Sequence, residues 1–199
     1  GGITTANIMP GSGNVIGGAT AYIKTRGRTV EQMLIHKSGI QGGLKMANGE
    51  NPKGYGRRGK TPMTRMAVAA LARQQFLRAQ EYKAKWDRYN ALGDAERQDK
   101  EIPDRDLDLE QLVEVLEGKR TVHHHTHRED DILTVLRLQK EFGFDLVLQH
   151  VTEGYKVATE IAAAGVPASI ITLDSPGGKH EAVDFSLRNG AVLEAAGVL

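Results

Sequence analysis

From Leu107 onward the chain alternates between two hydrophobic rhythms, one helical and one strand-like, with short links between them. Leu107 to Leu116 is a short acidic helical stretch, stopped by Gly118. Thr121 to His125 reads as a strand. Ile132, Val135, Leu136 and Leu138 then recur at helical spacing, with Asp130 or Asp131 as the predicted N-cap and Phe142-Gly143 as the end. Asp145 to Gln149 is an apolar run of the kind buried on both faces of a parallel sheet. Tyr155 to Ala164 reads as a helix closed by Gly165, and Val166 to Thr172 as a strand. Pro176 to Lys179 reads as a loop and Glu181 to Asn189 as partly helical. Leu193 to Gly197 reads as a helix end, with a strand beginning at Val198-Leu199. This alternation predicts a parallel sheet covered by helices.

The first half is less regular. Ile3 to Met9 is a short β-branched run, and Pro10 to Gly18 is a glycine-rich loop that fits neither the P-loop nor the dinucleotide fingerprint. Ala19 to Ile23 and Thr29 to Leu34 are ambiguous. A few extended residues from Gly42 lead into Asn-Gly and Asn-Pro turn signals before Lys53, and Gly54 to Lys60 reads as a basic surface loop. Thr61-Pro62 has the form of an N-cap and first helical residue. From there to about Tyr89, Met66, Ala69, Ala70, Phe76 and Leu77 alternate with Arg and Gln at helical spacing. The charged far end, Lys83 to Arg88, is expected in solvent or against another subunit. Ala91 to Arg105 reads as a polar loop.

Charge and composition narrow the function mainly by exclusion. Lys and Arg total 26 against 25 Asp and Glu, which gives no reason to expect nucleic acid or an anionic membrane as a partner. There is no cysteine, hence no disulfide, thiolate ligand or thiol nucleophile. No stretch approaches the roughly 18 apolar residues of a membrane span. The length of 199 residues suits one domain but is short for a complete eight-unit barrel, which typically needs about 250 residues. The chain opens at Gly1 in a strand-like run, so localisation is left open.

The chemistry concentrates between Thr121 and Gly154, which holds His123, His124, His125, His127 and His150, five of the seven histidines. In a strand, His123, His125 and His127 share one face and His124 takes the other. His125 is the best-placed metal ligand, and His150 ends the next strand in the same way. At the carboxyl edge of a parallel barrel, such strand ends carry the chemistry. Neutral imidazoles suit zinc, iron or manganese. His127, Arg128, Asp130 and Lys45 are candidates for orienting contacts or substrate contacts. Ordinary N-terminal helix chemistry accounts for Asp131.

Four stretches resemble the amidohydrolase superfamily, in its imidazolonepropionase-related branch. Gly2-Ile3-Thr4-Thr5 is similar to a Gly-Val-Thr-Thr strand of that branch, and Lys45-Met46-Ala47-Asn48-Gly49-Glu50-Asn51-Pro52-Lys53 resembles its Lys-Met-Ala segment. His125-Thr126-His127-Arg128-Glu129-Asp130-Asp131-Ile132 resembles its His-Ala-His-Arg motif, and Leu148-Gln149-His150-Val151-Thr152-Glu153 its Leu-Glu-His-Gly-Thr-Glu segment. The resemblance implies an α/β fold, a metal-dependent (β/α)8 barrel that hydrolyses a C–N bond in a small-molecule amide, cyclic amide or dipeptide. It implies His125 and His150 as metal ligands, His150 also as a catalytic residue, and zinc, with iron or manganese as alternatives. Lys45 is the nearest counterpart of the carboxylated lysine that some members carry. The resemblance also places the branch's first-strand His-x-His pair before Gly1 and its catalytic Asp beyond Leu199, with Asp174 a poor substitute. On this reading residues 1–199 are an incomplete barrel domain, with a long helix and insertion over about 61–106. It lacks the first strand and most of the eighth, and is expected to be inactive alone and to associate through exposed barrel edges or as a homo-oligomer. The competing expectation is a non-catalytic barrel scaffold or interaction domain.

Overall fold

The computed structural model describes residues 2–35, 39–40, 42–172 and 178–199. Among them six strands form one mixed sheet in sequence order: β1 (Thr5–Ile8), β2 (Ile16–Lys24), β3 (Gly42–Ala47), β4 (Arg120–Thr126), β5 (Leu146–His150) and β6 (Ala168–Ile170). β3 to β6 are parallel; the rhythm of the second half predicts this for β4 to β6, and β3 joins them from the less regular first half. β1 and β2 form an antiparallel hairpin, and β2 pairs antiparallel with β3. The α/β fold is that of part of a barrel.

Register explains the burial pattern. Leu44, Val122 and Leu146 stand in one row, and Met46, His124 and Leu148 in another. Both rows lie in the apolar face covered by helices. The alternate rows, Lys45–His123–Val147 and Ala47–His125–Gln149, belong to the opposite face. The period of two therefore separates core from site within each strand.

Three helices cover the apolar face. α3 (Arg65–Asn90) buries Val68, Ala72, Phe76 and Ala79. α5 (Leu107–Leu116) buries Leu109, Leu112 and Val115, and α6 (Glu129–Phe142) buries Ile132, Val135, Leu136, Leu138 and Phe142. Phe76 stacks against Phe142 and Phe144, each with ring centroids 5.0 Å away. Complete burial of a side chain this size contributes roughly 2–3 kcal/mol. The buried stripe of α3 differs from the one expected, because Met66 is 74% exposed and Leu77 lies at the surface.

The far end of α3 packs on α5 instead of projecting freely. Tyr82 Oη donates to Glu110 Oε1 (3.2 Å), and Lys83 lies 3.4 Å from Glu117. The remaining helices are short: α1 (Val30–Met33), α2 (Glu50–Lys53), α4 (Asp94–Gln98, inside the expected polar loop), α7 (Ala158–Ala163) and α8 (Asn189–Ala195). Single 3-10 turns cover Gly54–Arg58, Gly154–Lys156 and His180–Ala182.

Two helix starts differ from expectation. α3 begins three residues later than the Thr61-Pro62 signal, because the Thr64 hydroxyl accepts the Ala67 N–H at 3.1 Å. Thr64→Ala is expected to lower stability by about 1 kcal/mol, read by urea unfolding. At α6 neither Asp130 nor Asp131 is the N-cap; Arg128 occupies that position. The Glu129 N–H is instead met by the Glu153 carboxylate (2.9 Å) from the loop after β5. A distant carboxylate thus does the work of a local cap. Beyond α8, the Leu199 carbonyl accepts the Ala168 N–H of β6 at 2.9 Å, but residues 198–199 form no strand.

Candidate metal and active site

The carboxyl ends of β4 and β5 carry the histidines to one place. β4 ends at Thr126, so His127 lies one residue past it. His125 pairs with Gln149, and Thr126 with His150. The His125 ring centroid is 4.6 Å from that of His127 and 4.7 Å from that of His150. His127 and His150 stack at 5.3 Å with an interplanar angle of 10°. The segments after the two strands are stitched together. Val151 N–H donates to the Thr126 carbonyl (3.0 Å), and Glu153 N–H to the His127 carbonyl (2.9 Å). Thr152 Oγ1 lies 2.6 Å from His127 Nδ1, which leaves His127 Nε2 as the free ring atom.

Glu181 completes the group. It is fully buried, in the 3-10 turn after β6. Its Oε2 accepts the Glu50 N–H (2.6 Å) and lies 3.4 Å from Arg65 Nη2. Arg65 Nε in turn donates to Asp131 Oδ2 at 2.8 Å. Gly49 makes room for this arrangement. Its φ is +78°, and a Cβ there would lie 2.2 Å from Glu181 Oε2. With Oε2 tied down, Oε1 faces the histidines, 4.0 Å from His125 Nε2 and 3.6 Å from Lys179 Nζ.

The protonation states suit a cation. Burial, followed by the charge of His125, pushes the His127 pKa down to about 3. The same causes in the same order take His150 down to about 4. Burial also lowers His125. For Glu181, burial acts upward but is outweighed by the nearby His125 and the Glu50 N–H, and the carboxyl falls to about 2. At neutral pH the group is therefore three neutral imidazoles beside an ionised carboxylate.

His125, His127 and Glu181 each offer one ligand atom, all within 4.8 Å of one another. Among the described residues, His125 Nδ1, His127 Nε2 and Glu181 Oε1 are buried without a hydrogen-bond partner. Buried polar atoms are rarely left bare. Nitrogen and carboxylate oxygen at this spacing fit a divalent metal, and this trio could hold one.

The other sequence candidates divide. His150 packs within the cluster but is not one of the trio. Lys45, 4% exposed, makes no salt bridge among the described residues, and burial lowers its pKa. His123 sits deeper, with Tyr22 Oη 2.7 Å from its Nε2 and Gln149 Nε2 3.3 Å from its Nδ1. His124 is on the helix-covered face, its Nδ1 3.0 Å from the His125 carbonyl. Arg128 and Asp130 pair with each other at the surface (2.9 Å), 43% and 52% exposed, and do not reach the cluster. Asp131 is buried and bound to Arg65, a tertiary role beyond simple helix-end chemistry. Asp174 lies outside the described residues. Sequence reasoning missed Glu181 and also Asn51, whose Nδ2 lies 3.1 Å from His125 Nε2 and donates to Ser12 Oγ at 2.6 Å. The usable signal for Glu181 was its position in the loop after a parallel strand.

No family model matches the chain. It is 32% identical over 163 residues to the amidohydrolase tasK of Hapsidospora irregularis, a match covering 75% of this chain and 16% of that protein. It also matches the crystal structure of an amidohydrolase from Thermotoga maritima MSB8, with a TM-score of 0.88 and 39% identity. That match covers all of this chain and half of the other, so the chain spans about half the length of the solved relative. Sequence and fold together make this chain a relative of the amidohydrolase superfamily, built as part of that superfamily's barrel.

Proposed function

We propose that this chain supplies part of the catalytic centre of a metal-dependent hydrolase that cleaves a C–N bond in an amide, cyclic amide or dipeptide. On this reading the protein belongs to the imidazolonepropionase-related branch. The observation that carries the proposal is the convergence of His125, His127 and Glu181, with His127 Nε2 and Glu181 Oε1 buried and without a hydrogen bond among the described residues. These three would hold the ion, zinc by preference, with iron or manganese as alternatives. When bound, a divalent metal supplies Lewis acidity to the amide carbonyl and lowers the pKa of water toward about 7.

The chain's own residues have separable roles. Thr152 holds His127 by Nδ1, and the Glu50 N–H and Arg65 hold Glu181 by Oε2. On this reading His150, whose ring stays neutral at pH 7, would contact the substrate. Lys45, whose burial favours the uncharged amine, faces the same side of the sheet as His125.

The test is metal analysis of the longest natural form of the protein, then a screen of N-acyl amino acids, dipeptides and ring amides. Chelation is expected to lower turnover at least about 100-fold, and zinc to restore it. At 100 times its dissociation constant, zinc should stabilise the fold by about 2.7 kcal/mol, seen as a higher melting temperature. Turnover indifferent to chelator, or a protein that takes up no divalent metal, would overturn the proposal.

A further inference from the structure

His150 and Val151 both have positive φ, 77° and 36°. Val151 is β-branched and fully buried, and such residues avoid the left-handed region. Two consecutive residues held this way need restraint from their surroundings. The restraint is visible. Val151 N–H is held by the Thr126 carbonyl, and the Val151 carbonyl accepts both the Gly154 N–H (2.8 Å) and Asn189 Nδ2 (2.9 Å). The first two bonds are local to the paired strands and their loop. The third crosses from the start of α8, 38 residues away.

Asn189 is an unexpected residue at its position. It is 2% exposed, and its Oδ1 has no hydrogen-bond partner among the described residues. An apolar side chain there would avoid that unsatisfied oxygen. The Nδ2 bond to Val151 is what an apolar side chain could not supply. The turn it holds swings the His150 ring flat over His127 and edge-on to His125.

We propose that Asn189 is a positioning residue of the histidine cluster: by clamping the Val151 carbonyl, it keeps His150–Val151 in the strained turn that presents the His150 ring to His127 and His125. Its value to catalysis rests on the metal-hydrolase reading above, but the clamp itself can be tested in metal-free protein.

The experiment compares Asn189→Asp, Asn189→Leu and a control, Leu193→Ala. The first keeps the volume and replaces the donor with an acceptor. The second removes the amide altogether. Leu193 is buried on the same helix and packs beside Gly154, 3.3 Å from where a Cβ would lie, but makes no bond to the turn. The first readout is the nuclear Overhauser contact between the His150 and His127 rings in metal-free protein. The second is the dissociation constant for zinc.

Both Asn189 variants are expected to lose the ring contact and to bind zinc about 10-fold more weakly, the low end of what outer contacts to a metal site are worth. Leu193→Ala is expected to melt earlier and keep the contact. Should the Asn189 variants fold poorly, Val151→Gly joined to Asn189→Leu decides the matter. Glycine adopts positive φ freely, so the ring contact should return without the clamp. Intact ring contacts in the Asn189 variants, or equal loss in Leu193→Ala, would overturn the proposal. A wild-type protein that ignores zinc but loses the ring contact on Asn189 substitution would sink the metal reading and leave the clamp standing.

Discussion

Glu181→Gln is expected to weaken zinc binding about 100-fold, a loss of about 2.7 kcal/mol, while leaving the fold intact. The asymmetry comes from the two carboxylate oxygens. Oε2 has a task of its own, because it accepts the half-buried Glu50 N–H at 2.6 Å. A glutamine can meet that need with its carbonyl oxygen. Its NH2 group must then take the place of Oε1 and point hydrogens at the histidines. The variant keeps the volume, the Glu50 bond and the Arg65–Asp131 pair. It loses the negative charge and the one carboxylate oxygen of the trio without a hydrogen bond among the described residues. Gly49→Ala should reach a similar loss by another route, since the added Cβ would occupy the place of Oε2, and φ +78° is strained for alanine. Isothermal titration of chelator-stripped protein with zinc reads both. If the glutamine variant binds zinc within about 3-fold of wild type, Glu181 is not a ligand and its burial serves only the Glu50 and Arg65 contacts.

The way Glu181 is held also explains why it was hard to see in the sequence. His125 and His150 announce themselves because a strand's period of two and a loop at its carboxyl end are local properties. The same rule extended to the loop after β6 leads to the right segment, yet nothing local separates Glu181 from the polar residues around it. Its role depends on a backbone N–H 131 residues away and on Arg65 at the start of α3. Arg128 and Asp130 show the converse. They lie within the most recognisable motif, but their side chains turn to solvent and bond each other.

The fold divides similarly. The strands β4 to β6 and the helices that alternate with them were legible because their apolar rows are regular. The β1–β2 hairpin was not, because β2 opens on Ile16-Gly17-Gly18, which reads as loop. Backbone conformation is what makes Gly18 necessary. Its φ is +113°, and the pairing with β3 shifts register between Ile16 and Gly18, whereas a Cβ at Gly17 would meet Lys45 at an ordinary contact distance of 3.4 Å. Thr61-Pro62 misled for a related reason. Two threonines precede α3, and only the three-dimensional path shows that Thr64 is the one bonded to the helix.

Metal-free protein is expected to lose stability steeply as pH falls from 7 to 5. His124 is the clearest contributor. It sits in the row with Met46 and Leu148 on the helix-covered face, and burial takes its pKa from 6.5 to about 3. The folded state therefore keeps this ring neutral through a range in which the unfolded chain protonates it. The unfolded state binds more protons, so stability rises with pH across that window and falls on acidification. Between pH 6.5 and 5 the difference for one such group is about 2 kcal/mol. His127 and His150, also lowered, act in the same direction over the same range. Glu181 adds to the loss only further down. Its stabilisation is complete above its unfolded value of 4.5 and disappears as pH falls through about 2. Asp131 opposes this weakly, because burial raises its pKa and protonation near its own titration relieves that burden. Urea unfolding at pH 7, 6 and 5 in the presence of chelator measures the slope. His124→Gln should remove about 1.4 kcal/mol per pH unit from it, since one titrating group is gone. A wild-type stability flat over that range would mean that these histidines are solvated enough to protonate in the folded state. The same access to water would leave their ring nitrogens satisfied, and the unpartnered atoms that make the site fit a cation would no longer require one.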